Sequence, residues 1–348
     1  MPRNGMMPGP GNTNNTGGTP NAPSAGRTFS YLGPNSASLT ASSGMGGGMM
    51  GGSNATLTMA NGAVVPVWTL NSDGALGFNS DRPVPGPLIE LVQGQQAAIT
   101  LSSMMPHTIH PHGLDVNTAN DGVPQTSGFV GNAPMMGGDF GRTQGQRSLG
   151  SSFTYRFTAP FAGTYFYHCH VDASLHMEMG MYGAVIVRPA SGSANAAWDG
   201  GPAFDTEYVW QLHTFDSRWH SQSVTGTGTL RYRPAVFMIN GRDGANLLSD
   251  STVAIRAPAG SRVLLRLINM GYMPALVNLG GLQLDVIASD GRPLRAPLST
   301  STQRVAPGER YDLIVTLPAQ TATTARVDYQ NIRGTRVMGT ATTSITAL

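Results

Sequence analysis

A single cysteine flanked by two histidines, in Tyr167-His168-Cys169-His170-Val171, constrains this chain more than any other feature. The residues leading into it, Phe161 to Tyr167, are aromatic and β-favouring and follow a Pro160/Gly163 turn signal, so they read as a strand. Successive side chains of a strand point to opposite faces. Cys169 must then face one way while His168 and His170 face the other. A second stretch, His107-Thr108-Ile109-His110-Pro111-His112-Gly113, obeys the same parity when extended. His110 and His112 share a face, and His107, an odd number of residues away, can reach the opposite one.

Two sites follow from this alternation. One holds His107, Cys169, His176 and Met181; the other gathers His110, His112, His168 and His170. A thiolate, imidazoles and a distant thioether are the ligands of a blue-copper electron-transfer centre. The bland alternative is that a lone cysteine is a small buried hydrophobe and each histidine an ordinary core or surface residue. Matching parity in two histidine clusters around one cysteine is hard to obtain from packing alone. Zinc is the rival metal, but it favours more cysteines or a helical H-E-x-x-H, and this chain has neither. Copper fits better.

Length and composition bound the rest. A chain of 348 residues suggests two domains. No run approaches the ~18 apolar residues needed to cross a bilayer. All 21 basic residues are arginine, they are scattered, and the net charge is only +2, which argues against a nucleic-acid or anionic-membrane partner. One cysteine excludes an intrachain disulfide, so cysteine usage does not identify the compartment.

Residues 1–53 are rich in Gly, Asn, Ser, Pro and Met and read as a low-complexity flexible tail. Met6, Met7, Met45, Met49 and Met50 could offer thioethers to Cu(I), though incidental methionines in a linker are the favoured reading. No cationic start followed by an apolar stretch marks a secretory signal. From residue 54 onward short Val/Ile/Leu/Thr/Tyr runs alternate with Gly, Pro, Asn and Asp clusters, and long helical periodicity is absent. Expected strands are Leu88–Val92, Ala97–Leu101, Phe153–Phe157, Gly163–His168 and Ala184–Val187, then Glu207–Leu212, Val236–Ile239, Arg262–Ile268, Leu284–Ala288 and Tyr311–Thr316. Such spacing argues for an all-β chain of sandwiches or barrels. The expected layout is a copper-binding domain over 54–190, a linker over 191–204, and a second domain over 205–348. The long glycine-rich loop Asn117–Leu149 reads as functional or disordered.

These residues resemble the motifs of the multicopper oxidases, the laccase-like group built from cupredoxin domains. His107-x-x-His110-x-His112 resembles the family's H-x-x-H-x-H. His168-Cys169-His170 through His176 to Met181 resembles its H-C-H-x(n)-H-x(4)-M, with a Cys169-to-His176 loop two residues longer than the commonest form. Pro85-Gly86-Pro87 with Gly94, and His112-Gly113-Leu114-Asp115 with Asp121-Gly122-Val123-Pro124-Gln125, resemble further first-domain signatures. Phe237-to-Arg242, Leu265-to-Asn269 and Ala306-to-Asp312 resemble the copper-free second domain of laccases. The resemblance covers roughly residues 55 to 345. It implies two tandem cupredoxin-like Greek-key domains and a periplasmic or extracellular location.

It also implies copper as cofactor, as a type 1 centre plus a type 2/type 3 cluster. A small-molecule or metal-ion donor would give one electron at a time near His176, the imidazole expected closest to the surface. Dioxygen would be reduced to water at the histidine cluster, with Asp121 relaying protons. A solvated turn is the alternative role for Asp121, and Asp115 is a weaker candidate for the relay. The family's cluster takes eight histidines from two facing domains, and this chain offers four. A homo-oligomer, a trimer first, would bring two ligand sets together, and His213 or His220 could then cross the interface. Two other functions compete. A copper nitrite reductase uses His-Cys without the second flanking histidine and needs a late interface histidine, where none follows His220. A non-catalytic electron carrier or copper-binding protein leaves His110, His112, His168 and His170 unexplained.

Overall fold

The computed structural model describes residues 35–42, 55–72, 82–132, 146–220 and 231–348. Among them the only α-helix is α1, Ala173–Glu178, and nearly all other regular structure is strand. As expected, the strands build two β-sandwiches in tandem. In the first, a sheet ordered Thr69–Ser72, Ser36–Ser42, Gln96–Ser102, Ser152–Thr158 packs on one ordered Ile89–Val92, Tyr182–Arg188, Gly163–His168, His110–His112. Leu39, Ile99, Leu101 and Tyr155 from one sheet meet Ile89, Tyr165, Tyr167, Val185 and Val187 from the other. The second sandwich pairs a seven-stranded with a five-stranded sheet around Trp210, Leu265, Leu313, Val327 and Ile345.

The outer face of the sheet carrying Gly163–His168 is covered as well. Leu88, Phe166, Tyr182, Ala184 and Ile186 pack against Val209, Ile268 and Met270 of the second domain. That is why the strand before Cys169 is a continuous apolar run rather than an alternating one: both faces are buried. Tyr165 and Tyr167 point into the sandwich, while Phe166 points at the neighbouring domain.

Each expected strand is present, with ends moved by a residue or so; Glu207–Leu212 extends furthest, to Thr206–Phe215. The flexible-tail reading needs a correction. Ser36–Ser42 is a strand, antiparallel to Thr69–Ser72 and parallel to Gln96–Ser102, with Ala37 and Leu39 in the core. Its two-residue periodicity is masked in the sequence by Ser, Thr and Ala at every other place. Residues 1–34 and 43–54, including the five methionines singled out above, lie outside the described residues, as do 133–145 of the long loop.

The 191–204 segment is not a free linker either. Ala197 and Phe204 are buried against Leu264, Ile287 and Ile314 of the second domain. A hairpin, Ala55–Thr58 with Val64–Val67, leaves the first domain and packs Leu57, Val65 and Val67 against Phe215 and Met238 of the second. No described helix is long and apolar enough to cross a membrane.

Candidate metal centres

The strand Gly163–His168 ends at His168, yet the alternation continues through the next two residues. The Cys169 N–H donates to the carbonyl of Met181 at 3.0 Å, and the His170 N–H donates to the Thr108 hydroxyl at 2.9 Å. Cys169 therefore enters the sandwich core, and His168 and His170 turn out of it.

On the core side, Cys169 Sγ lies 3.1 Å from His176 Nδ1 and 3.5 Å from His107 Nδ1, and the two nitrogens are 3.3 Å apart. The centre of such a triangle is about 2 Å from each donor, close to ordinary imidazole–metal and thiolate–metal bond lengths. Helix α1 carries His176. Met181 is fully buried in the same core, and its N–H donates to the His176 carbonyl at 3.0 Å. Burial pulls His107 down to about 3 and holds His176 well below the ordinary imidazole range, so both rings are neutral and able to bind metal. Burial pushes the Cys169 thiol up to about 11, with the Thr108 and Val171 backbone contacts opposing it. A metal ion arriving here must displace that proton. The Thr108 N–H points at the sulfur from 3.5 Å, the kind of contact that tunes a thiolate-bound copper.

The four residues expected at this site, His107, Cys169, His176 and Met181, are all buried. His176 is 3 % exposed, and Trp68 stands edge-on against it with ring centroids 5.0 Å apart. It is more exposed than His107 at 1 %, but it is walled off rather than open to a donor.

On the other side, His110 is paired in register with His168 across antiparallel strands, which puts both rings on one face. The ligand atoms of His110, His112 and His168 lie within 4.8 Å of one another. The His170 ring is 5.2 Å from that of His110 and 5.7 Å from that of His168. All four rings converge. His110 Nδ1–H donates to the Asp121 carbonyl at 2.5 Å and His168 Nδ1–H to the Cys169 carbonyl at 2.9 Å. Those bonds fix the tautomers and turn each Nε2 away from the backbone, His168 Nε2 facing His112 Nδ1 at 3.3 Å. Burial holds His110 and His168 below their ordinary pKa. It also brings His112 down to about 3, helped by the Arg310 guanidinium.

Asp121 reaches this cluster through its backbone. Its carboxylate accepts the Val123 N–H at 2.9 Å and the Thr126 hydroxyl at 2.9 Å, holding the turn. Gly122, at φ +65, presses so close to the strand that a Cβ there would meet the Ile109 carbonyl oxygen at 1.9 Å. Glycine at 122 is thus required by the turn's close approach. Asp115 is paired with Arg292 of the second domain at 2.7 Å.

His213 and His220, expected as candidates to cross a subunit interface, are buried within this chain. They are 1 % and 5 % exposed; His213 stacks on Tyr182 with centroids 4.7 Å apart, and His220 Nδ1–H donates to the Pro66 carbonyl at 2.6 Å. Sequence reasoning also missed Thr108, Trp68, Arg310 and Glu178. Only Glu178 left a signal, as an acidic residue inside an apolar stretch between two expected ligands.

The chain is similar to known proteins in sequence and in fold. Models of multicopper oxidase domains match residues 56–191 and 212–345. The chain is 30% identical over 251 residues to oxidoreductase OpS5 of Beauveria bassiana, covering 68% of this chain and 38% of that protein. It is 26% identical over 260 residues to the multicopper oxidase MmcO of Mycobacterium tuberculosis, covering 67% and 46%. The chain thus spans less than half the length of these relatives. Among solved structures, the blue copper oxidase from Nitrosomonas europaea superposes with a TM-score of 0.66 at 23% identity, over 90% of this chain and 85% of that one. A copper nitrite reductase from the same organism gives 0.62 at 19%, over 90% and 93%. At these identities the structural likeness establishes the fold, two cupredoxin-like domains, and not a reaction. The two domain matches and the sequence relatives go further: this chain belongs to the multicopper oxidase family, whose cofactor is copper.

Proposed function

We propose that the protein is a laccase-like oxidase that takes single electrons from phenolic, aromatic-amine or metal-ion donors and delivers them to dioxygen. One observation carries this reading. Cys169 belongs to one donor set while its covalent neighbours His168 and His170 belong to the other, so one peptide unit on either side joins the two sites. Copper, when bound, supplies the one-electron chemistry at the thiolate and the reduction of dioxygen to water at the histidines. His107, Cys169, His176 and Met181 would hold the first centre; His110, His112, His168 and His170 would share the second. The sandwich core keeps water from the thiolate. Trp68, against His176, forms the wall through which a donor's electron enters.

Four histidines are half a ligand set for a three-copper cluster. His110, His112 and His170 are each partly exposed, and the second-domain residues beside His112 are Gly308 and Arg310, not histidines. A second copy bringing its own cluster residues, in a trimer, fits both facts. The copper-loaded protein should sediment as an oligomer and contain more than one copper per chain. A monomer with a full copper complement would refute the assembly. A single copper per chain, at the thiolate, would favour an electron carrier instead.

Asp121 is proposed to relay protons to the cluster, supported by its position against His110. The expected result for Asp121→Asn is retained copper with oxygen uptake at least about 100-fold slower, the usual contribution of a positioned proton-transfer group, and an altered pH profile. Oxygen uptake unchanged in rate and pH profile would leave only the carbonyl contact, which Asn preserves.

A further inference from the structure

Glu178 lies between His176 and Met181 in the sequence and belongs to neither donor set. It is 0 % exposed, and its carboxylate partners all belong to the second domain. The Asp216 N–H donates to Oε1 at 2.5 Å, His220 Nε2 stands 3.5 Å from the same oxygen, and the Tyr232 hydroxyl, which also meets the Thr214 carbonyl at 2.7 Å, lies 3.0 Å from Oε2. Tyr272, edge-on to Tyr232 with centroids 5.3 Å apart, donates its hydroxyl to the Ser174 carbonyl at 2.6 Å, at the start of the same helix.

Helix α1 has six residues, and Asp172 before it makes no side-chain cap. A single turn or two of helix has no stability of its own, so its placement is dictated by whatever pins it. A second connection reaches the other wall of His176. His220 is bonded to Pro66, and two residues on, the Trp68 N–H donates to the Met179 carbonyl at 2.8 Å while its ring meets His176. Burying a carboxylate is a poor way to gain stability. What it gives is direction, because two oxygens with separate partners fix the rotation of the helix that carries them.

We propose that Glu178 is a positioning residue for the thiolate site: through Asp216, His220 and Tyr232 it lets the second domain, which provides no ligand, hold His176 and Met181 in place. This rests on the ligand assignment proposed above. The test uses the copper-loaded full-length protein and three variants: Glu178→Gln, Tyr232→Phe and, as a control, Leu279→Ala in the second-domain core. The first two should retain copper yet shift the thiolate–copper absorption band and the reduction potential in the same direction, and their combination should shift them no further than Glu178→Gln alone. Leu279→Ala should lower the melting temperature and leave band and potential unchanged. Should Glu178→Gln fail to fold, Tyr232→Phe and Tyr272→Phe carry the same comparison. Band and potential identical to wild type, whatever happens to Tm, would overturn the proposal. If the wild-type protein shows no thiolate band, the ligand assignment itself fails, and that outcome is distinct.

Discussion

Replacing Cys169 by Ser should abolish the visible thiolate–copper band, remove one copper per chain, and lower oxygen uptake by at least ~100-fold. The floor follows from the fact that disturbing groups which merely orient metal ligands already costs about 10–100-fold in affinity or activity; here a ligand itself is lost. Serine is close to isosteric, and the Thr108 N–H that faces the sulfur at 3.5 Å remains available to its hydroxyl. The fold should therefore survive, with the histidine cluster still able to bind metal. Metal analysis, absorption spectra and an oxygen electrode on one preparation separate the outcomes. Oxygen uptake unchanged alongside a missing band would show that electrons bypass Cys169, and the proposed route would be wrong.

The sequence made this side of the molecule readable because parity is a backbone property. One cysteine and six histidines could be assigned to two faces without knowing what packs around them, and the register pairs His110 with His168. The strands most easily found, such as Gly163–His168 and Val236–Ile239, are bulky and apolar. Several left unassigned, among them Arg292–Thr300, Ala322–Gln330 and Val337–Ala347, carry few bulky apolar residues to mark a buried face, and pairing with neighbours decides them. The same holds for Ser36–Ser42, a strand only because Thr69–Ser72 and Gln96–Ser102 flank it.

Contacts between distant segments were illegible for a different reason. His213 and His220 looked available for an interface because a lone histidine carries no sign of its surroundings. Only the docking of the two domains buries them. Glu178 likewise has no local partner: Asp216 and Tyr232 lie 38 and 54 residues away. Nor does the sequence show where arginines converge, and a compact group of them is found where the domains meet.

Glu207→Gln should destabilise the protein by about 3–5 kcal/mol, the cost of leaving a buried charge without its partner. Glu207, fully buried in the second domain, accepts two bonds from Arg188 of the first domain, both at 2.8 Å, and a third from Arg266 Nε at 2.6 Å. Arg188 also lies 3.2 Å from Glu90, and Arg266 bonds Asp312 at 3.1 Å and the Thr164 hydroxyl at 2.9 Å. Two guanidiniums, each no more than 3 % exposed, would lose their shared acceptor. Burial alone would raise the Glu207 pKa, but Arg188 and Arg266 outweigh it and hold it at about 2, below the ordinary glutamate value of 4.5. Its contribution is therefore fully present above pH 4.5 and is lost as pH falls through 2. Denaturant titrations at pH 7 and across that acid range should show wild type losing its advantage over Glu207→Gln as the pH drops. A constant gap, or none at pH 7, would contradict this account. Thr164 is the second residue of the strand that ends at His168, and Arg188 ends the strand that begins one residue after Met181. Loosening the ionic group should for that reason be felt at both metal centres, so copper loss in the variant is expected at lower denaturant concentration than in wild type.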